Sequence, residues 1–596
     1  MKIRVDDKKG LVEAALGKIP CDLLIKNAQI VNVFTGEIYC GNVGIYNGFI
    51  AHIECDPDNL KRNENPLIGK TIVDANGEYL IPGLIDAHEH IESTMMTPRH
   101  LAQAVIVHGT TTIITDPHEI ANVCGLDGVN YMHECSEDLP MRQYILIPSC
   151  VPSVPNLENS GAVFTVNEVN ELLKLNRVIG LAEVMDFLGV INGEERISDI
   201  IDAVEKRDLF IEGHAPSLSG RELSAYICGG PVSDHESTTS QESRDKFRAG
   251  MYVDARESSI TKNVEEVVNG IKNFRYFESL TLCTDDRESE EILNKGHMND
   301  VVRKAIKCGM DPIDAIKCAT INTAKEIGVK NLGAIAPGYV ADMILTSSLE
   351  ELKPSKVFFE GKLVAENGSL TVEIDHKDFP LQNKNTVFVE NLNVDDFKIS
   401  APIKDGKIKT TVIKYNKLNT LDTDFSYEEI PVKNGFLDIS HDSDLKYVII
   451  INRHENHNTK AFGIVRNFGT NEGAVGSTVS HDCHNLTIVY DNIENAYAVF
   501  QDIVNMKGGI SCSLNGKVQE HLQLPIAGLM SNKPCNLLAE ESTKMKNALR
   551  KLGLKRLENP LLRIATLALP VIPNVKMSDL GIVDVLNKKI VDMFLN

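Results

Sequence analysis

From residue 79 to residue 288 the chain repeats one pattern: a short β-forming run, a polar tip, then a segment of helical periodicity. The runs are YLIPGLIDAHEH (79–90), TTTIITDP (110–117), RQYILIPSC (142–150), VIGLAEVMDF (178–187), LFIEGHAP (209–216), PVSDHES (231–237), MYVDARESS (251–259) and LTLCTDDRE (280–288). Helix-like stretches such as VNEVNELLKLN, ISDIIDAVEKRD and NVEEVVNGIKNF lie between them. Strands alternating with helices must run parallel, because each crossover returns the chain to the same end of the sheet. Eight such units predict an α/β fold, a (β/α)8 TIM-like barrel over 81–330. A doubly wound open sheet is the structural alternative, and the sixth run is the shortest and most polar.

At 596 residues the chain exceeds one ordinary core. Residues 21–54 alternate apolar and polar side chains between Gly and Asn punctuation, the texture of antiparallel β structure. GAIAPGYVADMILTSS and PSKVFFEGKLVAENG repeat it after the barrel. One small β domain built from both flanks, 1–80 plus 331–384, is therefore expected. A C-terminal α+β domain should occupy 385–596, with strands such as GKIKTTVIKYN and KYVIIINR and helices such as ENAYAVFQDIVNMKGG.

Several function classes drop out on composition. The formal net charge is −22, so the chain has no general attraction for nucleic-acid phosphates; a free small molecule is the expected ligand. No run approaches the roughly 18 apolar residues of a membrane span. The start, MKIRVDDKKGLVEAALGKIP, lacks the apolar core of a secretory signal. Thirteen scattered cysteines with no C-x-x-C pair read as reduced thiols in a cytoplasmic protein. A homo-oligomer is compatible with all of this.

In a barrel the chemistry sits at the C-terminal strand ends. Those ends carry His88 and His90, His118 and Glu119, Glu183, His214, His235, and Asp285 with Asp286. Residues i and i+2 of a strand face one side, so His88 and His90 can converge on one ion. With Glu183, His214, His235 and Asp285 they make six nitrogen and oxygen donors, enough for two divalent cations sharing a carboxylate. Any one of these histidines alone reads better as a hydrogen-bonded structural residue; their coincidence on the ends of one barrel favours metal. His108, His133, His297, His454 and His457 fall in helical or loop contexts and read as structural or solvated.

The motifs PGLIDAHEH, GHAP, SDHES and CTDD, with Glu183, resemble the amidohydrolase superfamily of metal-dependent barrel hydrolases. IDAHEHIESTMMTP, HGTTTIITDPHEIANVCG and GSTVSHDCHN are similar, more narrowly, to the prokaryotic adenine deaminase family. The resemblance runs over most of the chain. It implies hydrolysis of adenine to hypoxanthine and ammonia in purine salvage, with manganese or iron as cofactor. It implies one metal on His88, His90 and Asp285, a second on His214 and His235, and Glu183 bridging. Relatives with one metal also use a strand-four glutamate, so the count stays at one or two. Glu183 stands where many relatives have a carboxylated lysine, which argues against a hydantoinase-like or dihydroorotase-like activity. The zinc nucleobase deaminase route is excluded: His52-Ile53-Glu54 and His90-Ile91-Glu92 have the H-x-E form, but P-C-x-x-C is missing.

For the chemistry, Asp285 is expected to take the proton of the attacking water and pass it to the leaving amine. GHAPS lacks the H-x-x-E of adenosine-deaminase-like barrels, so Glu119, then Glu92, is the candidate donor to the ring nitrogen. An equal alternative is that each orients a ligand or caps a helix. His118 and His481 are candidates for contact with the base. The glycine-rich 468–485 stretch lacks a phosphate loop; it reads as a lid over the barrel mouth or as a turn before the strand LTIVY. Two rivals stay open. One is a binuclear hydrolase acting on a cyclic amide or another heterocycle. The other is a non-catalytic binding protein on the same scaffold, disfavoured because all six ligand candidates are present.

Overall fold

A computed structural model describes residues 2–55, 66–418, 420–572 and 574–595. Eight parallel strands form its centre: β1 (Leu84–Glu89), β2 (Thr110–Thr115), β3 (Arg142–Ile147), β4 (Val178–Val184), β5 (Phe210–Gly213), β6 (Ser233–Asp234), β7 (Tyr252–Arg256) and β8 (Leu280–Cys283). β1 to β5 make one sheet and β6 to β8 a second, each in sequence order. Two backbone hydrogen bonds join them into a curled barrel. The Val232 amide donates to the Ile211 carbonyl at 3.0 Å, and the Asp285 amide donates to the His88 carbonyl at 2.9 Å. The polar sixth run forms the shortest strand, of two residues.

The strands are buried along their length, as a parallel sheet covered by helices must be; β1, β2 and β8 have no exposed residue. The covering helices turn an apolar stripe inward. Glu195–Glu205, for example, buries Ile197, Ile200, Ile201 and Val204 at three-to-four-residue spacing. Gly213 ends β5 at a close approach: a Cβ there would lie 2.1 Å from the Ser233 carbonyl oxygen, so a larger residue would push β5 and β6 apart.

The IESTMMTP segment has a local explanation. Ile91–Thr94 form a 3-10 turn that ends at Met95 in the left-handed region (φ 61°). The next helix, Pro98–Val105, starts with Pro98 at its first position, and Thr97 Oγ1 accepts the His100 amide hydrogen. The chain thus leaves the mouth of the barrel immediately after His90.

A nine-stranded sheet flanks the barrel and takes strands from both sides of it. Tyr79–Pro82, which runs into β1, pairs in parallel with Cys21–Asn32 and antiparallel with Met343–Thr346. A second nine-stranded sheet gathers strands between Gly406 and Gln523, with the helix Ile493–Asn505 packed against it. No described helix is long and apolar enough to cross a membrane.

The C-terminal region docks onto the barrel through buried polar contacts. Lys546 Nζ meets Glu288 Oε2 at 2.5 Å and Glu290 Oε2 at 2.8 Å, and Asn559 Nδ2 donates to Glu288 Oε1 at 2.5 Å. The Ser531 amide donates to the Met95 carbonyl at 2.9 Å, and Asn485 Nδ2 to the Asn159 carbonyl at 3.0 Å. These contacts hold residues 480–484 over the strand tips. Replacing Lys546 by Met leaves the Glu288 carboxylate buried without its ammonium, which is expected to cost about 3–5 kcal/mol. Urea unfolding should show an earlier transition for Lys546→Met; an unmoved midpoint would contradict this docking contact.

Candidate metal centre

The strand tips bring all six predicted ligands into one buried cluster. Glu183, at the end of β4, is its hub. Glu183 Oε1 lies 3.4 Å from His90 Nε2, and Oε2 lies 2.5 Å from His214 Nδ1 and 3.3 Å from His235 Nε2. Asp285 Oδ1 stands 3.7 Å from His88 Nε2 and 3.5 Å from His90 Nε2. Two donor sets result: His88, His90 and Asp285 on one side, His214, His235 and Glu183 on the other, each with ligand atoms within 4.8 Å of one another. Glu183 faces both.

The backbone aims these groups. Asp285 takes a left-handed conformation (φ 56°), rarely adopted by residues other than Gly, Asn and Asp, which turns the chain at the barrel seam. Thr284 fixes the turn: its amide donates to Asp86 Oδ1 at 3.0 Å and its hydroxyl to Asp86 Oδ2 at 2.6 Å. His90 Nδ1 donates to the Asp116 carbonyl at 3.0 Å, which leaves Nε2 free to bind a cation.

The electrostatics call for positive charge at this place. Burial would raise the Glu183 carboxyl, but His214, His235 and His90 together hold it well below the ordinary carboxylate range. Burial would likewise raise Asp285, yet Arg256 and then His88, His235 and His90 hold it down. Conversely, burial opposes protonation of His90 and His235, and the Glu183 carboxylate nevertheless raises both. Imidazoles drawn toward the cationic form around buried carboxylates are what a divalent cation would replace. His88 Nε2, which faces Asp285, also lacks a hydrogen-bond partner. An all-nitrogen-and-oxygen donor set with an orphaned imidazole nitrogen aimed into it fits divalent metal.

Several residues of the centre were not singled out in the sequence. Arg256, at the tip of β7, donates to Asp285 Oδ2 and, at 2.7 Å, to Glu236 Oε2. Glu236 Oε1 in turn lies 3.8 Å from His214 Nδ1 and 3.7 Å from His235 Nε2. The signal was available: DARESS ends the seventh strand on a charged residue, and Glu236 follows His235 directly. His118, a candidate contact to the base, stands at the edge of the cluster, 2.8 Å from Asp116 Oδ2 and 3.6 Å from Glu183 Oε1.

The other candidates line the roof. Glu92 Oε1 accepts the Ile120 amide hydrogen at 3.1 Å, and burial with the Glu119 charge raises its carboxyl to about 8. Ser93 Oγ contacts Glu119 Oε1 at 2.8 Å and Asp286 Oδ1 at 2.5 Å. His481 Nδ1 reaches down to within 3.6 Å of Glu119 Oε1, and His484 Nε2 to within 3.9 Å of Oε2. His484 Nδ1 accepts the Ser480 amide hydrogen, so in the neutral ring Nε2 carries the proton and is a donor rather than a metal ligand. Glu92, Ser93, Asp286 and His481 share a cavity with Ile260, Val479, Ile510, Leu561 and Leu562, between the barrel mouth and the C-terminal region. Of the histidines set aside, His297 is fully buried, with Nε2 3.2 Å from Glu89 Oε1 and Nδ1 3.0 Å from Thr110 Oγ1.

Comparison with known proteins places the chain in a family. The model of the Amidohydrolase family matches residues 79–364, and that of the Adenine deaminase C-terminal domain matches 421–589. An adenine deaminase of Kosmotoga olearia is 38% identical over 98% of both chains. Adenine deaminase 2 of Carboxydothermus hydrogenoformans is 39% identical over 98% of this chain and 99% of that one. The chain belongs to the adenine deaminase family. Family membership carries divalent metal with it, and the Glu183 cluster is where these residues would hold it. His90→Ala removes a donor that faces both Glu183 and Asp285. Elemental analysis after loading with divalent metal should find fewer bound ions than in the unaltered protein; an unchanged content would refute the assignment.

Proposed function

We propose that this protein is a metal-dependent hydrolase that converts adenine and water to hypoxanthine and ammonia. The observation that carries the reading is the union, in one chain, of the Glu183-centred donor cluster with an adenine deaminase C-terminal domain seated over it. Divalent cations held by His88, His90, His214, His235, Glu183 and Asp285 would supply hydroxide at neutral pH, by lowering the pKa of water from 15.7 to about 7. Manganese or iron suits the nitrogen and oxygen donors.

The chain's own groups handle the protons. Arg256 engages Asp285 Oδ2, which leaves Oδ1 facing the His88 and His90 imidazoles as the proton acceptor. As oxygen adds to C6, Asp285 Oδ1 takes a water proton and passes it to N6, and the C6–N6 bond breaks with release of ammonia. The second water proton ends on N1 of hypoxanthine. Glu119 is the proposed donor to N1 through Ser93, with Glu92 next. Ser93 has one hydroxyl hydrogen and contacts two carboxyl groups, so a further proton is needed on Glu119 or Asp286 to satisfy both contacts. That pair can hold the proton N1 requires. General acid–base steps of this kind contribute roughly 10²–10⁴-fold. His118 and His481 are the proposed contacts to the base, with the unpartnered Asp482 Oδ2 as a further acceptor beside them.

A free base and water, rather than a polynucleotide, are the expected partners of a chain of net charge −22. Purine salvage in the cytoplasm is the setting this implies, and thirteen unpaired cysteines support a reducing compartment. The test is ammonia release by protein purified with manganese or iron, assayed on purines, pyrimidines, a hydantoin and dihydroorotate. Turnover of adenine is expected. No ammonia from adenine, with opening of a cyclic amide, would overturn the reading.

A further inference from the structure

We propose that Glu212 is a positioning residue that aims one histidine ligand of each metal position through a single carboxylate. The inference rests on the metal assignment above and concerns a residue outside the six ligands. Glu212 lies on β5 two residues before His214 and points into the barrel interior beneath the cluster, where it is fully buried.

Three observations converge on it. His88 Nδ1 stands 2.9 Å from Glu212 Oε1, while His88 Nε2 faces Asp285 on the other edge of the ring. The His235 ring stacks on His88 with centroids 4.2 Å apart and planes 13° from parallel; its Nε2 faces Glu183 and its Nδ1 has no partner. His88, Glu212 and His235 bring one donor atom each within 4.8 Å of one another. Neither Glu212 oxygen has a hydrogen-bond partner, and neither His88 Nδ1 nor His235 Nδ1 has one. This carboxylate lies 2.9 Å from His88 Nδ1 and within 4.8 Å of a His235 nitrogen, so a small rotation places it to accept Nδ1–H from both rings, which would aim both Nε2 lone pairs at the metal positions. His88 belongs with His90 and Asp285, and His235 with His214 and Glu183. One carboxylate therefore aligns ligands of both positions and couples their occupancy. His90 does not depend on it, because the Asp116 carbonyl holds that ring.

The test uses the full-length chain with Mn²⁺ as probe. In Glu212→Gln one amide oxygen remains for two N–H donors, and the amide hydrogens oppose the second ring. Mn²⁺ affinity is expected to fall about 10–100-fold, with both ions lost in parallel. Glu212→Asp keeps the charge but loses reach, and should show the same loss should the glutamine variant fail to fold. Melting temperature separates positioning from packing: the metal-free variants should melt near the unaltered protein, and the rise produced by saturating Mn²⁺ should shrink. Glu326→Gln, another buried barrel carboxylate whose oxygens have no hydrogen-bond partner, should leave Mn²⁺ affinity unchanged. Unchanged affinity in both Glu212 variants, or a lower metal-free melting temperature with an undiminished Mn²⁺ increment, would overturn the proposal. Failure of the unaltered protein to bind Mn²⁺ would instead strike the metal assignment itself.

Discussion

The Asp285 amide donates to the His88 carbonyl at 2.9 Å, and that hydrogen bond ties the last barrel strand to the first. It lies at the level of the metal centre, so the contact that closes the barrel also sets His88 and Asp285 of the first donor set side by side. The left-handed turn at Asp285 and the two bonds from Thr284 to Asp86 hold the seam in register. A one-residue slip in β1 would send His88 and His90 to the other face and bring Glu89 inward. The other seam, between β5 and β6, needs Gly213 for the same reason of close approach.

Around that seam the protein gathers more buried carboxylate than its own cations neutralise. Arg256 bridges Asp285 and Glu236, but Glu183, Glu212 and Asp116 stand among imidazoles instead. Isolated buried charge of this kind is costly unless it is paired or coordinates metal. The arrangement is poorly balanced as bare protein and well balanced around divalent cations. The C-terminal region completes the site from above: His481 and His484 approach Glu119, and Leu561 and Leu562 supply an apolar wall. The geometry requires the whole chain.

The barrel was legible because strand–helix alternation survives in a single sequence, even where β6 shrinks to two residues. The grouping of His88, His90, Glu183, His214, His235 and Asp285 was legible too, since strand periodicity and the tip rule fix which residues face the mouth. Glu212 was not. A glutamate inside LFIEG carries no mark that tells a buried carboxylate from a solvated one; only closure of the barrel places it under two histidines. Arg256 was not singled out, because the arginine within the run MYVDARESS is not a metal-ligand residue type. The approach of His481 to Glu119 joins residues 362 positions apart and follows from docking, which no local pattern encodes.

Anomalous diffraction from crystals of the Mn²⁺-loaded chain tests the central claim most directly. The account predicts two peaks, one among His88, His90 and Asp285 and one among His214 and His235, with Glu183 between them. Strong peaks elsewhere, or none within the Glu183 cluster, would contradict it.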